Sequence, residues 1–120
     1  MKTYHPPISF SVKYNEDHVW SEDHFYGQSV SMVGRLCKKF NYDIVESHYN
    51  NLFLIPREIN KFKSLTPEEA YDMGYRNKID RKMKFPWNDD MEELLNMGRE
   101  DGIVFLENKF EKYSGKYILE

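Results

Sequence analysis

The stretch "SVSMVGRLCKKFNYDIVESHYNNLFLIP", Ser29 to Pro56, constrains the fold of this chain more than any other. Val30, Val33, Leu36, Cys37 and Phe40 recur at three- and four-residue spacing, which lays one apolar stripe along a helix. Arg35, Lys38 and Lys39 fall on the watered side, and the two lysines sit in the last turn, where cations oppose the negative end of the helix dipole. Ser29 suits the N-cap and Asn41 a left-handed terminator. "YDIVES" then has strand composition, and "HYNN" reads as a turn, with asparagines that tolerate unusual backbone angles. "LFLIP" is a continuous apolar run, the pattern of a strand buried on both faces. The order is helix, strand, tight turn, strand. Within the chain, the segments expected to cover the helix stripe are Met91–Leu95 and Ile103–Tyr113.

The flanks are less regular. Pro6 and Pro7 stop any helix at the start, and "ISFSVKY" alternates as a short strand or extended arm. "NEDHVWSEDHFYG" reads as a loop. Beyond Phe62, Thr66, Pro67 and Glu69 make a helix-start signature with a capping box. "WNDDMEELLNMG" predicts a short helix with Met91, Leu94 and Leu95 as its stripe. "DGIVFLENKFEKY" follows at helical spacing, and "SGKYILE" predicts a last short strand. The chain divides on this reading into an α/β segment, residues 1–62, and a mainly helical extension, residues 63–120, packing on it.

A chain of 120 residues with a net charge of -3 offers no clustered basic surface of the size that phosphate neutralisation needs, which argues against nucleic acid as a partner. One smaller basic cluster exists. Arg76, Lys78, Arg81, Lys82 and Lys84 are opposed only by Asp80, and they are the candidate surface for an anionic partner. The single cysteine, Cys37, permits no internal disulfide and fits a reducing, cytoplasmic setting. No apolar run approaches the ~18 residues of a membrane-spanning helix.

Chemistry-bearing patterns are sparse. The six glycines are isolated, so the chain carries neither a dinucleotide fingerprint nor a phosphate loop. His5, His18, His24 and His48 match no compact metal-binding spacing, and no metal site is expected. Cys37 lies on the apolar helix face, where a thiol acts as a small hydrophobe. Ser29 and Ser31 lack a nucleophile elbow, and no catalytic residue is assigned. Tyr14, Trp20 and Tyr26 crowd the approach to the helix. They either plug the end of a sheet or form the wall of a substrate cleft, with Asn15 and Asn51 as polar contacts and Ser29 beside them.

The run from Tyr4 to Ile55 resembles the C-terminal part of a group of class I S-adenosylmethionine-dependent methyltransferase-like proteins. The matching positions are Tyr4, Pro6 and Pro7, then "YNEDHVW" from Tyr14, "YGQS" from Tyr26, "KKFNY" from Lys38 and "NLFLI" from Asn51. The likeness covers about half the chain. His5, Glu16, Gln28 and Asn41 depart from the group's Asn, Pro, Ala and Gly, and the His5 change removes the amide that the group carries there. The resemblance implies a Rossmann-like α/β sheet of seven strands, whose last two form an antiparallel hairpin. "YDIVES" and "LFLIP" would be that hairpin, with the Ser29–Phe40 helix before it. The glycine-rich cofactor loop and the acidic ribose-binding residue belong to earlier strands.

The implied function is that of a C-terminal fragment or subunit, completing the sheet and the acceptor side of the cleft and not catalytic alone. It would bind no cofactor by itself, S-adenosylmethionine being implied for the complete fold. Its partner would be a complementary N-terminal methyltransferase half or a second copy. Trp20, Tyr26, Ser29, Asn15 and Asn51 would then be the substrate-side residues. Two readings stand beside this one. The first is a small autonomous α+β interaction module that binds an anionic partner through Arg76–Lys84. The second is a self-contained small enzyme using the aromatic and histidine loop.

Overall fold

In a computed structural model that describes residues 3–120, the Ser29–Pro56 pattern forms as its spacing predicts. Helix α1 spans Val30–Phe40. The Ser29 hydroxyl accepts from the Met32 N–H at 3.4 Å, and Asn41 ends the helix in the left-handed region, at φ 58°. Strands β2, Tyr42–His48, and β3, Asn51–Pro56, pair antiparallel from Tyr42 opposite Pro56 to His48 opposite Asn51. The left-handed residue in their turn is Tyr49 rather than an asparagine. Its backbone N–H bonds to the Gly74 carbonyl at 2.7 Å and its hydroxyl donates to Asp80 at 2.6 Å, so tertiary contacts hold it there.

A second sheet joins the two flanks. Strand β1, Phe10–Val12, pairs antiparallel with β4, Tyr117–Leu119. Between the sheets run helix α2, Pro67–Tyr71, a π turn over Asp72–Arg76, helix α3, Arg81–Lys84, a 3₁₀ stretch over Pro86–Asn96, and helix α4, Arg99–Lys109. Thr66 and Glu69 form the expected capping box on α2. Both sheets are two-stranded and antiparallel, which makes the fold α+β. Among the described residues, no helix is long and apolar enough to cross a membrane.

Two apolar clusters hold the chain. The first joins Tyr4, Ile8, Phe10 and Phe25 to Met91, Leu94, Leu106 and Phe110. The second joins Val30 and Cys37 of α1 to Ile44 of β2 and to Leu65, Ala70, Tyr71 and Tyr75. Each cluster draws side chains from both sides of residue 62.

Two expectations are corrected here. The covered part of the α1 stripe, Val30, Val33 and Cys37, packs mainly on β2, α2 and the π turn, with Leu95 beside it, whereas Met91, Leu94, Leu106 and Phe110 pack with the N-terminal arm. The buried face of α1 keeps Val30 and Cys37 of the expected stripe but turns away from Leu36 and Phe40. It consists of Val30, Ser31, Gly34 and Cys37, and Leu36 and Phe40 are exposed. Gly34 explains the rotation. A Cβ there would lie 2.8 Å from the Pro67 ring, so α2 approaches α1 over its smallest side chains. The second correction concerns β3, which is not buried on both faces. Among the described residues it pairs only with β2, and Phe53 and Leu54 on alternate faces are 50% and 41% exposed.

Candidate functional site

The loop between β1 and α1 builds one wall of a cleft of about 490 Å³, lined by Trp20, Glu22, Asp23, His24, Tyr26 and Trp87. The loop is anchored by Phe25, which is buried and stacks on Tyr113 with ring centroids 3.8 Å apart. Asp23 ties it together. One carboxylate oxygen accepts from the Phe25 N–H at 2.9 Å, and the other accepts from the hydroxyls of Tyr113 and Ser21. The Asp23 carbonyl accepts the Trp20 indole N–H at 2.8 Å, which fixes that ring. Glu22 sits in the left-handed region at φ 60°, a conformation that costs a non-glycine residue ~1–3 kcal/mol and persists only where its surroundings impose it.

The rings of Trp20 and Tyr26 stand 5.7 Å apart at 76°, giving two nearly perpendicular walls. Trp87 adds a third from the 3₁₀ stretch, its ring held edge-on to Phe85 at 5.4 Å. Beside it, His24 Nε2 lies 2.9 Å from Asp90 Oδ1, and Lys109 meets the other Asp90 oxygen at 2.5 Å.

Partial burial pushes the Asp23 carboxyl up. The Tyr113 and Phe25 hydrogen bonds and the Lys112 ammonium outweigh it and hold the group below the usual carboxylate range. Asp90 follows the same course, with burial opposed by Lys109 and His24. Burial raises the Tyr26 phenol. The cleft thus combines aromatic side chains with the carboxyl groups of Glu22 and Asp23, and among the described residues no lysine or arginine lines it.

Of the substrate-side residues expected from the sequence, the fold brings together Trp20 and Tyr26. Asn15 lies in an adjoining hollow with Lys13, Tyr14 and His18, where its side chain accepts from the Asp17 N–H at 2.9 Å. Ser29 is fully buried. Its hydroxyl accepts from the Phe10 N–H at 2.9 Å and donates to the Ile8 carbonyl at 2.8 Å, so it clamps β1 as well as capping α1. Asn51 is exposed at the start of β3. Sequence reasoning missed Trp87, Glu22 and the His24–Asp90 pair. Trp87 enters through tertiary packing, and its local signal, an aromatic ring ahead of "NDD", reads only as a helix start. Among the described residues, no three histidine, cysteine, aspartate or glutamate side chains converge as a metal site would require.

The basic cluster is largely engaged within the molecule. Arg81 makes a two-pronged pair with Glu92 at 3.1 and 3.0 Å and also reaches the Arg76 carbonyl at 3.0 Å. Arg76 pairs with Asp72 at 3.2 Å. The ammonium groups of Lys78 and Lys84 lie over the Tyr49 ring, and Lys82 is exposed.

No family model, curated protein or solved structure matches the chain.

A second concavity, of about 570 Å³, runs along the uncovered flank of α1. Val33, Leu36, Phe40, Tyr42 and Leu54 line it with apolar surface.

Proposed function

We propose that this chain is the sheet-completing, acceptor-side part of a methyltransferase-like protein. The observation that carries the reading is the outer edge of β3. A hairpin that ends a larger sheet joins it through one of its outer edges. The outer side of β2 already meets Leu65 at Ile44, whereas among the described residues β3 pairs on one side only. That open edge carries exposed Phe53 and Leu54 and adjoins the apolar concavity of Leu36 and Phe40. An edge of this kind is a template for another strand. The preceding α1 and the antiparallel β2–β3 pairing match the helix and hairpin that the resemblance implies. In the completed protein this α+β unit would be the terminal section of a Rossmann-like sheet. The earlier strands, and S-adenosylmethionine with them, would be held by a further segment or a separate chain. Trp20 and Tyr26 would face the methyl acceptor. The lone buried Cys37 suits a cytoplasmic protein.

Sedimentation equilibrium tests the edge. The chain should self-associate or co-purify with a strand-donating partner, and Leu54→Lys should abolish that association. A monomer at high concentration with nothing co-purifying overturns the reading. Calorimetry with S-adenosylmethionine is the second arm. No binding is expected from this chain alone, and tight binding would sink the idea.

A further inference from the structure

The cleft beside Trp20 has a composition that the sheet-completing reading does not require. We propose that it is an aromatic cage for a methylated ammonium group. Trp20 and Tyr26 give two walls at 76° and Trp87 lines the same cleft, so a compact cation entering it would meet aromatic surface from the loop and from the 3₁₀ stretch. Ring faces carry the negative end of the aromatic quadrupole and attract cations, tryptophan most strongly. Glu22 and the ionised Asp23 add negative charge to the lining. Of its remaining titratable side chains, His24 is paired with Asp90, and the Tyr26 phenol, raised by burial, stays neutral. Lys109 and Lys112 reach this region as partners of Asp90 and Asp23.

Exposure supports the same conclusion. Trp20 and Trp87 are 53% and 60% exposed, and two large aromatic side chains left open in one concavity mark a binding surface rather than a core. The walls are also set in advance, Trp20 by its indole bond to the Asp23 carbonyl and Trp87 by its edge contact with Phe85. Rings already ordered lose little freedom when a ligand enters. A methylated ammonium fits better than a bare one, because its methyl groups contact the rings while its weak hydration makes transfer into the cleft cheap. The cleft volume lies within the ~300–1,000 Å³ usual for small-molecule sites. The inference rests on the cleft alone and holds whether or not β3 joins a larger sheet.

The chain has two tryptophans, and both line the cleft, so intrinsic tryptophan emission reads this site alone. Choline, trimethyllysine and sodium chloride would each be titrated into the full chain at matched ionic strength. The neutral isostere of choline, 3,3-dimethylbutan-1-ol, would be titrated in parallel. A saturable emission change is expected with choline or trimethyllysine, and whichever binds more tightly identifies a free small molecule or a modified side chain as the source. The neutral alcohol should bind at least about tenfold more weakly. Glu22→Gln should weaken cation binding severalfold, and Trp20→Ala should remove it while Trp87 still reports. Each variant would be checked by circular dichroism. If Trp20→Ala does not fold, Glu22→Gln and the isostere comparison decide. Absence of saturation with both cations, equal affinity for the alcohol, or unchanged binding in a folded Trp20→Ala would overturn the proposal.

Discussion

Asp43 shows how one side chain organises a region. It is buried on β2 and accepts from the Asn60 amide at 2.9 Å, from Arg57 Nε at 3.2 Å and from the Ser64 hydroxyl at 3.2 Å. These bonds fasten the segment after β3 back onto β2. The Asn60 bond is the largest influence on the carboxyl. With Arg57 and Ser64 it overcomes burial and holds the group below its ordinary range. A carboxyl depressed in the folded state contributes stability that is fully present above the unfolded value, ~3.9, and is lost as pH falls through the folded value. Asp23 and Asp90 share that sign. The melting temperature should therefore drop steeply in acid, below about pH 4. Asp43→Asn should lower stability at neutral pH and flatten part of the acid slope in thermal melts. An unchanged slope would show that the network contributes nothing. Ser29 was legible as a cap because capping is local. Its bonds to Phe10 and Ile8 were not, because they cross from helix to strand.

At the scale of elements, α1, the β2–β3 hairpin and the Thr66 capping box were readable, since each depends on spacing within a dozen residues. The face that α1 buries was readable only in part: Val30, Val33 and Cys37 of the stripe meet the second cluster, but Leu36 and Phe40 do not. Side-chain size favours Leu36 and Phe40, and the close approach of Pro67 at Gly34 overrides it. The burial of β3 was likewise misread, because an apolar run reports composition and not the number of neighbours. Close approach recurs where the π turn meets β2. A Cβ at Gly74 would fall 2.1 Å from the Ser47 hydroxyl and 2.8 Å from the Ser47 carbonyl carbon. Gly74→Ala should destabilise the protein by ~1–3 kcal/mol or more in urea denaturation, the usual cost of overpacking. Ser47→Gly should recover only part of that loss, because the backbone contact remains. Additive effects in the double mutant would mean that the two residues do not touch.

Across the whole molecule, the two apolar clusters are linked through the Pro86–Asn96 stretch. In a 3₁₀ helix, residues three apart stack on one side, so Met91 and Leu94 face the first cluster. Leu95, one residue on, packs against the second. One segment thus serves both cores, and heat should unfold them together. Tryptophan emission and far-ultraviolet circular dichroism should give coincident transitions. Leu106→Ala in one cluster and Val30→Ala in the other should lower that same midpoint, Leu106→Ala by ~2–5 kcal/mol in stability. Two separate transitions would refute the coupling. This architecture was the least legible part, since pairing β1 with β4 and bringing Trp87 to the cleft of Trp20 both depend on contacts between segments far apart in the chain. The open edge of β3 has a further consequence, one of dosage. Strand-to-strand pairing through exposed apolar residues grows with concentration. If a partner covers that edge, as proposed, chain made in excess of it would be drawn into aggregates or cleared by quality control, and the abundance of the two would be tied.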